Sequence, residues 1–306
     1  MTTTPSAPIA WESLRIAVVA GDEREREIAR LAAATGAEVR AFGFPWPAEG
    51  IEGVTLAASA AEALDGAHYA LFPIPGIAAD GALFAPEQAE PIVASAELLA
   101  GMAPRAAIAL GAADAGLRAA AARHAIDLLE YEHDRELMML RAPAIVEGAL
   151  RIAIEQSEIT IHAARVVVVG YGNIGALLGQ TLRALGADVS VAARNPVQRA
   201  EAYASGARPL ALDELPERAA EFAMVFSAVP APVVDRAVLE RLPRGSLVMD
   251  LAAPPGGVDL AAARELGHRA VWARGLGRRA PITVGASQWS GVRRRIEERE
   301  QERVTA

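Results

Sequence analysis

The chain contains no cysteine among its 306 residues. Disulfides, thiolate nucleophiles and Cys-based zinc or iron–sulfur sites are excluded, which fits a reducing compartment without requiring one. No apolar run approaches the roughly 20 residues needed to span a bilayer, and the first residues lack the basic start and apolar stretch of a secretory signal. A cytoplasmic protein is expected. Histidine is scarce, at five, and shows no metal-ligand spacing. Cations fall short of anions, 30 against 38, for a net charge of −8. That balance argues against non-specific nucleic-acid binding but leaves room for a local arginine cluster that holds an anion. The charge run Glu23 to Glu27 reads as a solvated helix face.

What is present is a composition 52% hydrophobic, enough at this length for a large core and two domains. The chain is organised around Arg165 to Asn195. Val166 to Val169 form the β-branched run of a strand buried on both faces, and Gly170, Gly172 and Gly175 follow as G-x-G-x-x-G before an amphipathic helix. Gly170 serves the tight turn, Gly172 a close backbone approach to a diphosphate, and Gly175 close packing of helix on strand. The diphosphate would lie on the N–H groups of Tyr171 to Ile174 and the positive end of the helix dipole, with Asn173 beside it. A second strand, Asp188 to Ala192, ends in Ala-Arg194-Asn195 with Arg199 a turn on, where an NAD-specific site usually carries a carboxylate. Arg194, Asn195 and Arg199 suit a 2′-phosphate, so NADP(H) is preferred, with NAD(H) the alternative.

Hydrophobic periodicity predicts an α/β fold: two Rossmann-like open parallel-sheet domains joined by a long connector helix, with a C-terminal helix packing back at the domain junction. The expected boundaries are 1–142, a Rossmann/flavodoxin-like substrate domain; 143–162, the connector, with Pro143 in its first turn; 163–283, the nucleotide domain; and 284–306, the final helix. Residues 1–10 are expected to fray. Gly21-Asp22 ends the first strand without the later glycines of a nucleotide turn. Asp22 and Arg24 there read either as substrate contacts or as a helix cap and a surface residue. Tyr131 to Arg135 (YEHDR) ends another strand, where His133 is either an acid–base group or a surface histidine. Ser227 to Pro230 (SAVP, including Val229) and Asp250 to Gly257 (DLAAPPGG) end strands facing the nicotinamide half. Gly148, inside the connector, suggests close packing by a neighbouring helix.

Together, GD-x-R, the PAIVEGAL helix, the TIH turn, VVVVGYGNIG, AARN, SAVP and DLAAPPGG resemble the A component of bacterial dipicolinate synthase over about Leu14 to Trp289. The resemblance implies NADP-dependent oxidation of a dihydrodipicolinate, derived from 4-hydroxy-tetrahydrodipicolinate, to the dipicolinate of endospores. The partner it implies is a flavoprotein-like B subunit, and a homo-oligomer is expected. On this reading Asp22, Arg24, Gly256, Gly257 and Thr283 contact the dicarboxylate, and Glu147, His162, Asp250 or His133 takes the proton. Family members show PGLPG and PKTAG segments where this chain has Arg274-Gly-Leu-Gly277 and Pro281-Ile-Thr-Val-Gly285. Ile282 therefore stands in place of a lysine that Arg278 or Arg279 would replace. Ala253 stands where the DLAS-type segment has its serine. The alternatives are a related two-domain 2-hydroxy or 2-amino acid dehydrogenase and a non-catalytic NADPH-binding regulatory protein.

Overall fold

The computed structural model describes residues 9–78 and 80–305, so the segment expected to fray lies almost wholly outside it. Two compact units emerge, Met1–Leu140 with Ala280–Ala306, and Arg141–Arg279.

The first unit carries strands β1 (Arg15–Val19), β2 (Glu38–Phe42), β3 (Val54–Leu56), β4 (Tyr69–Leu71), β5 (Ala107–Leu110) and β6 (Asp127–Glu130). Between them lie helices α1 (Glu23–Ala33), α2 (Ala60–Leu64), α3 (Ala96–Leu99) and α4 (Ala115–Arg123), after which α5 (Arg135–Gln156) carries the chain into the second unit. All pairings are parallel, in the order β3-β2-β1-β4-β5-β6. The central strands β1, β4 and β5 are short apolar runs covered on both faces, the pattern a parallel sheet imposes. Strand β3 escapes sequence reading because its three residues are exposed or half-exposed and show no apolar signal.

The second unit repeats this plan with β7 (Arg165–Val169), β8 (Asp188–Ala193), β9 (Arg208–Ala211), β10 (Met224–Ser227), β11 (Leu247–Asp250) and β12 (Arg269–Trp272). Its helices are α6 (Asn173–Ala184), α7 (Pro196–Ala204), α8 (Leu215–Arg218), α9 (Arg236–Leu239) and α10 (Leu260–Glu265), and α11 (Pro281–Thr305) returns to the first unit. The order β12-β11-β10-β7-β8-β9 is the first sheet's order read from the other edge. Each sheet thus reverses direction between its first and fourth strands, the arrangement of a doubly wound nucleotide fold.

Two helix starts differ from expectation. Helix α5 begins at Arg135, not Pro143, because Asp134 Oδ1 caps it by accepting from Leu137 N–H at 3.1 Å, and Pro143 lies inside. Helix α11 begins at Pro281 rather than Val284. It lies against α1, where a Cβ on Gly285 would stand 2.6 Å from the Arg24 carbonyl oxygen. Trp289 also meets Trp11 at 6.1 Å between ring centroids.

Candidate functional site

The second unit's switch point is built from β7, the glycine turn and α6. Gly170 has φ +90, and a Cβ there would stand 2.5 Å from Val229 Cγ2. A Cβ on Gly175 would stand 2.2 Å from the Gly170 carbonyl oxygen, whereas one on Gly172 would meet nothing within 4 Å. Turn and helix are thus pressed together while the outer face of Gly172 stays open. Gly172 is the N-cap of α6 and supplies no side-chain cap. The first N–H groups of α6, on Asn173, Ile174 and Gly175, have no intrahelical acceptor, and that end of the helix is the positive pole of its dipole. This combination fits a diphosphate.

Side chains around the turn divide by what they bind. The Tyr171 ring is buried and its hydroxyl meets Ser205 Oγ at 2.7 Å, so only its backbone belongs to the site. Asn195 caps α7 by accepting from Val197 N–H at 2.8 Å. Arg199 donates to the carbonyls of Ala193 and Arg194, both at 2.8 Å, and so braces the strand end. The Arg194 guanidinium is exposed, with no hydrogen bond or ion pair among the described residues. Of the three residues expected at the 2′-phosphate, Arg194 alone has no polar side-chain atom engaged elsewhere among the described residues. Val229 and Pro230 follow Ser227 into the turn's far wall. Ser227 Oγ is buried without a hydrogen-bond partner and lies where a Cβ on Gly257 would come within 2.4 Å.

The DLAAPPGG loop is held from below. Asp250, 1% exposed, accepts from Ala252 N–H at 2.9 Å through Oδ1, and from Gly257 N–H at 2.7 Å and Val258 N–H at 3.2 Å through Oδ2. Three backbone donors thus occupy the carboxylate expected to accept a proton, and it fastens the loop. Gly256 and Gly257, expected to offer N–H groups to substrate, use them within the loop. Gly256 N–H donates to Ala253 O at 2.9 Å and Gly257 N–H to Asp250. Asp250→Ala would strand three donors, and we expect it to lower stability by about 2 kcal/mol or more in urea denaturation. A loss under about 0.5 kcal/mol would show that the loop holds itself.

The other proton-acceptor candidates are scattered. His162 precedes β7 and packs on Gly186, which precedes β8. It is therefore at the amino edge of the sheet, about 15 Å of strand away from the glycine turn. Nearness in sequence concealed this. Glu147, on α5, is more than half exposed and ion-paired to Arg279. Gly148 beside it packs closely on the short 3-10 helix Leu276–Arg279, with a Cβ placed 3.0 Å from Leu276 Cβ. His133 is exposed in the first unit at the carboxyl end of β6. It lines a cavity of about 540 Å³ with Gly111, Arg118, Glu130, Glu132 and Arg295.

The β1–α1 turn of the first unit is filled by its own side chains. Asp22, fully buried, caps α1 and is bridged by two of the three Arg24 guanidinium nitrogens, Nε to Oδ1 and Nη2 to Oδ2, each at 2.7 Å. Arg24, the residue expected to contact a substrate carboxylate, is 5% exposed, and its charge is matched by Asp22 inside the fold. Glu25, expected on a solvated face, is buried at the same turn and accepts from Asp22 N–H and Ile74 N–H. Thr283 is exposed in the first turn of α11 beside Ile282. Among the described residues, no cluster of three or more His, Asp or Glu could hold a metal.

The family model for the N-terminal domain of the dipicolinate synthase A component matches residues 15–132, which contain the whole first sheet. The A component of dipicolinate synthase from Bacillus subtilis (strain 168) is 29% identical over 273 residues, 89% of this chain and 92% of that protein. The likeness to the dipicolinate synthase A component thus runs over nearly the whole chain, with that family's N-terminal domain model on the first unit. Two crystal structures from that family agree. The one from Bacillus subtilis matches with TM-score 0.83 at 27% identity, over 94% of this chain and 97% of that one. Its counterpart from Bacillus halodurans matches with TM-score 0.83 at 26% identity, over 92% and 97%. Residues 151–265 match the shikimate / quinate 5-dehydrogenase model, so the second unit is a dehydrogenase-type domain of the kind that uses a nicotinamide cofactor. A transhydrogenase from Sinorhizobium meliloti shares the fold, with TM-score 0.67 at 18% identity over 90% and 89% of the chains. The chain contains no lysine at any position: all 30 of its Lys and Arg residues are arginines. No described helix is long and apolar enough to cross a membrane.

Proposed function

We propose that the chain is the catalytic A component of a dipicolinate synthase, oxidising a dihydrodipicolinate, formed from 4-hydroxy-tetrahydrodipicolinate, to dipicolinate with NADP+. The observation that carries this reading is a likeness to the dipicolinate synthase A component that runs through both units. Residues 1–142 take the substrate and 163–283 the nucleotide, with 143–162 as connector and 284–306 as the closing helix. The glycine turn and Arg194 would hold NADP+, which would supply the hydride acceptor; with one proton released, dihydrodipicolinate and NADP+ would become dipicolinate, NADPH and H+. Because the product ring is aromatic, the protein need supply only orientation and a proton acceptor. Of the four acceptor candidates, His133 is the one at a strand's carboxyl end without a hydrogen bond or ion pair among the described residues, and it takes that role here. The partner is a B subunit, the assembly contains more than one copy of the chain, and the setting is the cytoplasm of a spore-forming cell.

The test is to supply NADP+ and freshly generated 4-hydroxy-tetrahydrodipicolinate, with and without the B subunit, and follow dipicolinate and NADPH by absorbance. Equal amounts of both products are expected. NADPH binding with neither product, B present, would sink the reading and turn attention to a different acid as substrate, with Ile282 as the reason. NADP preference rests on Arg194. Arg194→Glu is expected to weaken NADP+ binding by about 10- to 100-fold while leaving NAD+ binding within about threefold, since only the 2′-phosphate meets the new charge. Titration of both nucleotides by intrinsic fluorescence checks this, and equal losses for both would place the 2′-phosphate elsewhere.

A further inference from the structure

The first turns of the two units share one geometry with opposite chemistry. Ala20 N–H donates to Phe42 O and Gly170 N–H to Ala192 O, each at 2.8 Å. Both residues adopt left-handed φ, +67 and +90. Two positions on stand the helix N-caps, Asp22 and Gly172, and three beyond those, Glu25 and Gly175. The six residues Ala20-Gly-Asp-Glu-Arg-Glu25 thus overlay the G-x-G-x-x-G of the nucleotide turn. Where the second unit leaves helix N–H groups to an anion, the first fills them from its own chain. The Asp22 carboxylate accepts from Arg24 N–H at 3.2 Å, and Glu25 Oε2 accepts from Asp22 N–H at 2.7 Å. Gly21, with φ +118, must be glycine for this to happen, because a Cβ would lie 2.3 Å from the Glu25 carboxyl carbon.

Glu25 also reaches out of the turn. Its Oε1 accepts from Ile74 N–H at 3.1 Å, across 49 residues, in the loop that follows β4. Strands β1 and β4 are the pair between which the sheet order reverses, and ligands of open α/β sheets bind outside the carboxyl ends at that point. A left-handed non-glycine residue such as Ala20 is disfavoured and persists only where its surroundings hold it.

We infer that Glu25 is a positioning residue for the substrate: it occupies an anion seat closed to nucleotides and clamps the β1–α1 turn to the β4 loop, fixing both banks of the crevice that receives a small dicarboxylate. The identity of the ligand rests on the proposed function; the clamp rests on the geometry. Burial pushes the Glu25 carboxyl up from 4.5 to about 7, with Arg24 opposing the shift and Asp22 adding to it. The charged groups facing it are Asp22 and Arg24 on its own turn; the β4 loop presents the uncharged Ile74 amide, and α11 presents Gly285 behind Arg24. The protonated form is the one the fold favours, so its stabilisation is complete below about pH 4.5 and is lost as pH rises through about 7. Above that pH a second buried negative charge stands at the wall of the crevice and opposes a dicarboxylate.

The experiment measures dipicolinate binding by calorimetry from about pH 6 to about pH 8, the span around the Glu25 transition, on the full chain for wild type, Glu25→Gln and Glu25→Ala, together with hydrogen exchange of the Ile74 amide. Glu25→Ala is expected to weaken dipicolinate binding and speed Ile74 exchange, each by at least about tenfold, with NADP+ affinity unchanged. Glu25→Gln keeps one acceptor and the volume, so it should fold as wild type, bind dipicolinate, and lose the fall in affinity centred near about pH 7. Wild-type binding that matches Glu25→Ala, with Ile74 exchange unaltered, overturns the clamp and leaves the proposed function standing. So does a fall in affinity over the same pH range that survives in Glu25→Gln. Absence of dipicolinate binding by the wild type at every pH overturns both.

Discussion

Gly175→Ala is expected to abolish nucleotide binding and to lower the stability of the second unit by about 3 kcal/mol, at the upper end of what overpacking a core costs. The added Cβ would lie 2.2 Å from the Gly170 carbonyl oxygen and 3.1 Å from its carbon, and both are backbone atoms that no rotamer change can move. Gly170 cannot retreat, since its N–H is bonded to Ala192 O at 2.8 Å and its own α-carbon already abuts Val229. The helix must therefore lift off the strand, taking the N–H groups of Asn173 and Ile174 with it. Gly172→Ala separates this packing effect from ligand contact. Its Cβ meets nothing within 4 Å and its φ is −82, so stability should change by less than about 0.5 kcal/mol. Its NADP+ affinity should nevertheless fall by about tenfold or more, because the methyl group occupies the face where the diphosphate approaches. Thermal denaturation with and without NADP+ reads both quantities. Equal behaviour of the two variants would mean that the turn does not hold the diphosphate.

How much of this was legible in the sequence depends on whether the signal was local. The nucleotide strand announced itself through four consecutive valines, and the glycine spacing fixed the turn, since each glycine answers to a neighbour within a few residues or to the adjacent strand end. Helix boundaries were less legible. Pro143 looks like a first-turn residue, yet Asp134 caps the helix earlier and pairs with Arg294 and Arg295 of α11, about 160 residues on. Only two residues of sequence separate His162 from β7, yet the length of β7 separates it from the glycine turn. Asp250 stands at a strand end as expected, but the loop that follows folds back and consumes its oxygens. Glu25 was missed for a different reason. Asp22 and Glu25 have the spacing of a capping box, but the run Glu23-Arg-Glu-Arg-Glu27 alternates charge in the manner of a solvated face, and only the Ile74 amide, supplied by tertiary structure, shows that Glu25 points inward.

Asp22→Ala is expected to be the most destabilising single substitution in the first unit, at about 4 kcal/mol. Removing a helix N-cap costs about 1 kcal/mol, and breaking a buried ion pair from one side costs about 3–5 kcal/mol because the remaining charge is left uncompensated. Arg24 would be that charge, 5% exposed and holding two 2.7 Å bonds to the lost carboxylate. Packing of α11 at Gly285 against the Arg24 carbonyl leaves the arginine little freedom to swing to solvent. The double variant Asp22→Ala/Arg24→Ala should therefore recover a large part of the loss, leaving about 1–2 kcal/mol from the cap and the vacated volume. Urea denaturation followed by tryptophan fluorescence measures the effect in the correct unit, since Trp11, Trp46 and Trp289 belong to the first unit and Trp272 alone to the second. A double variant less stable than Asp22→Ala would show that Arg24 contributes through its stem and not through its charge. A loss below about 1 kcal/mol for Asp22→Ala would reduce the pair to an ordinary cap, and the closed turn of the first unit would then differ from the open turn of the second in sequence but not in energy.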